Sequence, residues 1–335
     1  MAGIKTKTLV EPGAVIDGYT VGECVHRGGM ATLWSVTSPD SDTPMLMKVP
    51  RISGDEDPAA IVGFEMEQMI LPRLSGPHVP GCFGAGDFAR QPYVVIERIP
   101  GKTLDQRLSA LPISYEEARA IVGKIATALA DLHTQNVIHH DIKPSSIMFR
   151  PSGEAVLIDF ALSHHNQLPD LLQEEFRLPY GTAPYMAPER LLGVRDDPRS
   201  DLFSLGVLLY FFTTGVRPFG ESKTLRGMRR RLWRDPHPPL KLKPDYPPWL
   251  QEVVLRCLEI EPVRRYPAAP QLAFELAHPD QVKLTARSER QARDPLRTVM
   301  RRRFNRGLTR LAALPELEGT GKEPDEEKDE PRGMA

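Results

Sequence analysis

One stretch of the chain limits its possible folds more than any other: VIHHDIKPSSIMF from Val137 to Phe149, a short polar loop, then VLIDFA from Val156 to Ala161. Each apolar run has β-strand composition and leads into a carboxylate, Asp141 and Asp159. Lys143 stands two residues past the first. Two carboxylates presented at the ends of short strands, with an ammonium beside one of them, suit phosphoryl transfer. One carboxylate can orient a hydroxyl, the lysine can neutralise a moving phosphate, and the other carboxylate can hold a metal.

These residues carry a family resemblance. HHDIKPSS resembles the catalytic loop of the eukaryotic-type Ser/Thr protein kinases, in their soluble, bacterial-looking form. IDFA resembles the metal-binding DFG element of that family, and GTAPYMAPE, Gly181 to Glu189, resembles the segment that closes its activation loop. The three stand in the family's order and spacing, and the likeness runs from Asp17 to Ala277. It implies an α+β, bilobal protein-kinase-like fold: a small antiparallel-sheet lobe with one helix, then a larger, mainly helical lobe. The expected boundaries are a flexible lead-in over 1–16 and a kinase-like domain over 17–278. Within the domain the small lobe is 17–97, the hinge 97–102 and the large lobe 103–278. A basic, then acidic, partly disordered tail over 279–335 follows.

Composition sets outer bounds. The chain has 335 residues, room for one two-lobed domain. A net charge of -1 gives no overall field toward nucleic acid or membrane, so no specific nucleic-acid binding is expected. Cys24, Cys82 and Cys257 lack metal-ligand spacing and read as reduced thiols of a cytoplasmic protein. The opening residues hold too short an apolar stretch for a signal peptide. The longest apolar segment, Leu202 to Val216, is broken by Ser204, Gly206, Thr213 and Thr214 and is too short to span a bilayer.

The site residues follow from the resemblance. Tyr19 to Val36 reads as strand, turn, strand with Gly28-Gly29 at its tip, matching the loop that covers the ATP phosphates. Glycine is needed there because a Cβ would hold the backbone away from them. Lys48, inside the apolar run MLMKVP, needs a partner, because an unpaired buried ammonium is costly. The resemblance gives it the α- and β-phosphates and Glu67 on the next helix, with Glu65 as a rival. Leu33, Leu46 and Met148 would line the adenine slot. Ile96 would be its gatekeeper, and the backbone of Glu97 and Ile99 would bond the adenine edge. Asp141 and Lys143 would be catalytic, while Asp159 and Ser146 would hold Mg2+, or Mn2+ in its place. Thr182, the pair Glu189–Arg265 and Asp201 read as structural support.

Several positions depart from the family pattern. His26 and Ala31 replace glycines, Leu46 replaces a small residue, and His140 replaces the arginine before the catalytic aspartate. Ser146 stands for asparagine and Ala161 for the glycine of DFG; if position 161 needs φ > 0, alanine costs about 1 kcal/mol. Between His164 and Gly181 there is no Ser or Thr, and Tyr180 is the only hydroxyl. Glu174 and Glu175 supply negative charge there without an evident partner. The expected function is an ATP-dependent protein Ser/Thr kinase not controlled by activation-loop phosphorylation. The alternative is a pseudokinase acting as a regulatory or scaffold protein. A small-molecule kinase is disfavoured by GTAPYMAPE, which shapes a peptide-binding surface. The sequence does not identify the protein substrate. Arginine-rich 225–234 reads as a solvated helix face. The basic stretch 285–310 reads as folding back on the acidic tail, or as the place for an anionic partner, and residues 299–311 as an amphipathic helix.

Overall fold

The computed structural model describes residues 10–51, 58–108, 110–176, 180–221, 224–293 and 295–312. The start of the expected lead-in, residues 1–9, and the acidic stretch from 313 onward lie outside the described residues. One compact unit runs to Asp294, and a second begins at Pro295.

The small lobe is built on a six-stranded antiparallel sheet in the order β1-β2-β3-β4-β6-β5. Its strands are β1 (Val15–Ile16), β2 (Tyr19–Arg27), β3 (Ala31–Ser38), β4 (Ser41–Pro50), β5 (Cys82–Gly86) and β6 (Tyr93–Glu97). Helix α1 (Pro58–Ile70) follows β4. Alternation along β4 sorts the side chains by face. Met45, Met47 and Val49 are buried in a cluster with Val21, Val36, Tyr93 and Val95. Leu46 and Lys48 therefore take the other face, opposite Ile96 and Val94 of β6 and Ser35 and Leu33 of β3. That face looks toward the large lobe.

The large lobe begins with α2 (Leu104–Arg107) and α3 (Tyr115–Thr134). Ser114 caps α3 by accepting the Glu117 N–H at 3.1 Å, as the S-x-x-E pattern predicts. The decisive stretch then folds as β7 (Val137–Ile138), β8 (Ile147–Phe149), β9 (Ala155–Leu157) and β10 (His164–His165). β7 pairs with β10 and β8 with β9, so two small ladders anchor the loops that carry Asp141 and Asp159. After α4 (Leu171–Glu175) comes α5 (Arg199–Thr214), apolar on nearly every side and buried between α3 and α8 (Pro248–Cys257). Gly215 ends α5 in the left-handed conformation, φ 78°. Each fully buried Leu or Phe of such a helix stabilises the lobe by about 1.5–3 kcal/mol. α6 (Leu225–Met228), α7 (Pro239–Leu242) and α9 (Ala269–Ala277) complete the lobe.

Three expectations need correction. Residues 10–16 are not a loose lead-in: Val10 is buried, Gly13 N–H bonds the Val21 carbonyl and β1 pairs with β2. Residues 279–293 are not a loose tail. Gln251 donates to the carbonyls of Arg287, Ser288 and Arg290, Glu252 accepts from Thr285, and Arg287 and Arg290 pair with Glu259 and Asp235. The carboxylates drawing this segment in lie on the large lobe, out of reach of local sequence reading. Nor is 225–234 simply a solvated face: Arg231 is 1% exposed and donates to the Met186 carbonyl at 2.5 Å. In the second unit, α10 (Leu296–Ala312) is a single helix over the expected stretch. Among the described residues no helix is long and apolar enough to cross a membrane.

Candidate active site

The face of β4 turned to the large lobe carries Lys48, and α1 brings Glu67 to it. Lys48 Nζ lies 2.5 Å from Glu67 Oε2 and 3.1 Å from Asp159 Oδ1. Glu67 is 1% exposed and also accepts the Phe160 N–H at 3.3 Å, whereas its rival Glu65 is exposed. Burial pulls the Lys48 ammonium down, but the charges of Asp159 and Glu67 outweigh it and leave its pKa raised. The neighbouring Lys48 charge lowers Asp159. Burial raises the Glu67 carboxyl, against the Lys48 charge, and the three groups form one hydrogen-bonded set across the cleft.

Across that cleft, Asp141 is held by its own loop. Its carboxylate accepts from Lys143 Nζ, from Thr182 Oγ1 at 2.7 Å and from the Thr182 N–H at 3.2 Å. Lys143 Nζ also donates to Thr182 Oγ1 at 3.1 Å. The backbone just before Asp141 is tied down by Asp201 at the start of α5. Its two oxygens accept the N–H groups of His139 and His140, each at 2.8 Å, and His133 Nε2 lies 3.0 Å away. Burial would raise the Asp201 carboxyl, but hydrogen bonds from His133 and His139 leave it lowered. His140 has φ 64°, in the left-handed region that non-glycine residues rarely adopt, and donates Nε2–H to the Arg195 carbonyl at 2.7 Å. Burial, then the guanidinium charges of Arg190 and Arg195, push it well below the ordinary histidine value, so it is neutral.

Ser146 is the site residue that the structure moves away from its expected role. It is 1% exposed. Its hydroxyl donates within the loop, to the carbonyls of Asp141 at 2.8 Å and Lys143 at 2.9 Å, and accepts the Lys143 N–H at 3.1 Å. A serine hydroxyl is short enough to bond its own turn, and here it does so instead of facing the cleft. Ser146 therefore braces its own loop. The conformational burden expected at Ala161 also falls elsewhere: the positive φ, 70°, is at Asp159. Ala161 instead approaches α1, where a Cβ on Gly63 would meet the Ala161 carbonyl at 3.0 Å.

The residues expected to face the nucleotide follow the strand register. Leu33, Leu46, Ile96 and Met148 are partly exposed and Ile99 is buried. Gly28 and Gly29 sit at the β2–β3 tip. Gly28 N–H bonds the Ala31 carbonyl at 2.9 Å, and nothing lies within 4 Å of a Cβ added at Gly29. Glu97 does more than its backbone role implies. Its carboxylate takes a fork from Arg150, whose guanidinium also bonds the carbonyls of Pro77 and Val79. Nothing in local sequence marks Arg150. Beyond the cleft, Glu189 and Arg265 form a buried two-bond pair at 2.6 and 2.7 Å.

These residues fit a nucleotide and a divalent ion in part. The Asp159 side chain is 45% exposed and gives a hard oxygen donor beside Lys48, which fits an ion carried in by phosphate oxygens. Among the described residues there is no cluster of three His, Cys, Asp or Glu able to form a cage of its own.

A family model described as the protein kinase domain matches residues 19–275. The chain is 27% identical over 263 residues to the probable serine/threonine-protein kinase PknB of Lactococcus lactis, covering 78% of this chain and 42% of that protein. It is 28% identical over 293 residues to the serine/threonine-protein kinase PknB of Mycolicibacterium smegmatis, covering 84% and 47%. Against the serine/threonine-protein kinase PknA of Mycobacterium tuberculosis it is 28% identical over 261 residues, covering 76% and 59%. The chain thus spans less than two thirds of the length of these relatives.

Proposed function

The chain belongs to the protein kinase domain family, and from that premise we propose that it is an ATP- and Mg2+-dependent protein serine/threonine kinase, active without activation-loop phosphorylation. The observation that carries this reading is the pairing of Lys48 with Glu67 and Asp159, opposite an Asp141 already bonded to Lys143 and Thr182. In this reading Lys48 and the Gly29 N–H, on the turn that the Gly28–Ala31 bond closes, hold the nucleotide phosphates, while Leu33, Leu46 and Met148 flank the base. Asp159 holds the ion; when bound, the ion neutralises charge on the phosphate oxygens. Asp141 orients the substrate hydroxyl and takes its proton, with Thr182 keeping the carboxylate turned toward it. Lys143 compensates charge on the transferred group. Independence from loop phosphorylation is supported by the lack of Ser and Thr from 164 to 181 and by a neutral, internally bonded His140 where an arginine would face a phosphate.

One observation favours the alternative, a scaffold that binds nucleotide without transferring phosphate: Ser146 does not face the cleft, so a single carboxylate is left for the ion. One experiment separates the two. Transfer of the γ-phosphate to the chain itself and to a generic basic protein is measured with Mg2+ or Mn2+, beside Asp159→Asn and Lys48→Met. Transfer that is lost in both variants supports the kinase; equal background in all three supports the scaffold. Nucleotide at about a hundredfold over Kd should add about 2.7 kcal/mol of stability in either case. A phosphosite within 164–181 that changes the rate would defeat the claim of independence.

A further inference from the structure

The acidic residues suggested by sequence to charge the activation segment were Glu174 and Glu175; the structure points to a different one. Asp170, just before α4, is nearly buried and gathers three donors. Arg195 Nε and His164 Nδ1 reach one carboxylate oxygen, the latter at 3.0 Å, and the Gln173 N–H reaches the other at 3.2 Å. Burial would raise this carboxyl, but the His164 hydrogen bond and the Arg195 charge bring it down to about 2. Arg195 reaches further. Its Nη2 donates to the carbonyls of Leu162 at 3.0 Å and Ser163 at 3.3 Å, and its own carbonyl receives His140 Nε2–H. His140 is the residue directly before Asp141. The helix capped by Asp170, α4, packs against α1, which carries Glu67.

We propose that Asp170 is a positioning residue: through Arg195 and His164 it holds the activation segment, the catalytic loop and helix α1 in their working arrangement with no added phosphate. The physical need for it is local. Arg195 is buried beside Arg190, itself buried and pushed down to about 9 by burial and then by the Arg195 charge. Without the Asp170 carboxylate, Arg195 would be a buried cation facing another cation, and the segment would have to move to hydrate it. Asp170 thus supplies from the chain itself the negative charge that other activation segments acquire by modification. This inference rests on the kinase reading above and extends it to regulation.

The test compares the full chain with Asp170→Asn, which keeps size and removes charge, and Asp170→Glu, which keeps charge, all after phosphatase treatment. Asp170→Asn should lower kcat by about tenfold or more while leaving nucleotide Kd near wild type, because reacting groups are displaced and not deleted. Asp170→Glu should recover most of the rate. Wild-type kcat in Asp170→Asn overturns the proposal. If no variant, wild type included, transfers phosphate, the kinase reading has failed, and amide hydrogen exchange still decides this one. Asp170→Asn should speed exchange across 160–176 and 138–142, and unchanged exchange overturns it. Should Asp170→Asn not fold, the double variant Asp170→Asn with Arg195→Gln removes both charges; it should fold and remain slow, and a normal rate there equally overturns the proposal.

Discussion

Two carboxylates face the cleft, and the fold holds them in opposite ways. Asp141 is surrounded: Lys143 and Thr182 bond its oxygens, Ser146 bonds its carbonyl, and Asp201 fixes the two residues before it. Asp159 stands on one residue of positive φ, exposes 45% of its side chain and is bonded by Lys48 across the lobes. The Asp141 side is thus set by the large lobe alone. The Asp159 side depends on Lys48, and so on α1 staying close. Losses among the family's usual residues fall unevenly. His140 and Ser146 are both absorbed into internal bracing on the first side.

The largest effect should come from cutting the brace. Asp201→Ala leaves the His139 and His140 N–H groups unpaired in the interior and should cost about 3–5 kcal/mol, as breaking other buried pairs does; urea unfolding measures it. Asp159→Asn should instead leave the unfolding midpoint nearly unchanged and lower transfer by about 10²–10³-fold. If the two variants lose stability and activity in the same proportion, the contrast between the two sides is wrong. Ser146→Asn restores a side chain long enough to reach past the loop. It should tighten the apparent Mg2+ requirement by about 10–100-fold, whereas Ser146→Ala should leave that requirement alone. Titration of Mg2+ against transfer rate reads both.

The smallest effect is acid sensitivity. The folded-state pKa of Asp201 is lowered from 3.8, so its stabilisation is fully present above that value and is lost as pH falls through the lower folded value. Asp170 behaves the same way, with its loss reaching down to about 2. Unfolding free energy followed from pH 5 downward should therefore decline, and Asp201→Ala should flatten the part due to Asp201.

Much of the cleft was legible in the sequence because its residues sit in short, ordered strings. Lys48 was marked as the one charge in the apolar run MLMKVP, and the preference for Glu67 over Glu65 agrees with which one α1 buries. The Ser114 cap and the Glu189–Arg265 pair also follow from local or motif position. What sequence missed has a common cause. The partners of Ser146 are backbone carbonyls of its own turn, and a hydroxyl's choice between them and the cleft depends on rotamer and burial. Arg150 and Arg195 gain meaning only from carboxylates 53 and 25 residues away, Glu97 and Asp170. Arg231 looked solvated by composition and is buried because Phe219 and the Met186 carbonyl receive it. Such assignments require the packed chain.

The fork between Arg150 and Glu97 has a mechanical consequence. It pins the last residue of β6 to the large lobe, and Arg150 fastens the carbonyls of Pro77 and Val79 at the same point. Any swing of one lobe against the other must either tear that rivet or turn about the next few residues, where Arg98, Pro100 and Gly101 lie open to solvent and Gly101 has φ 106°. Such a swing would thereby be confined to a joint a few residues long, its stiffness governed by an arginine that lies outside the Lys48–Glu67–Asp159 set.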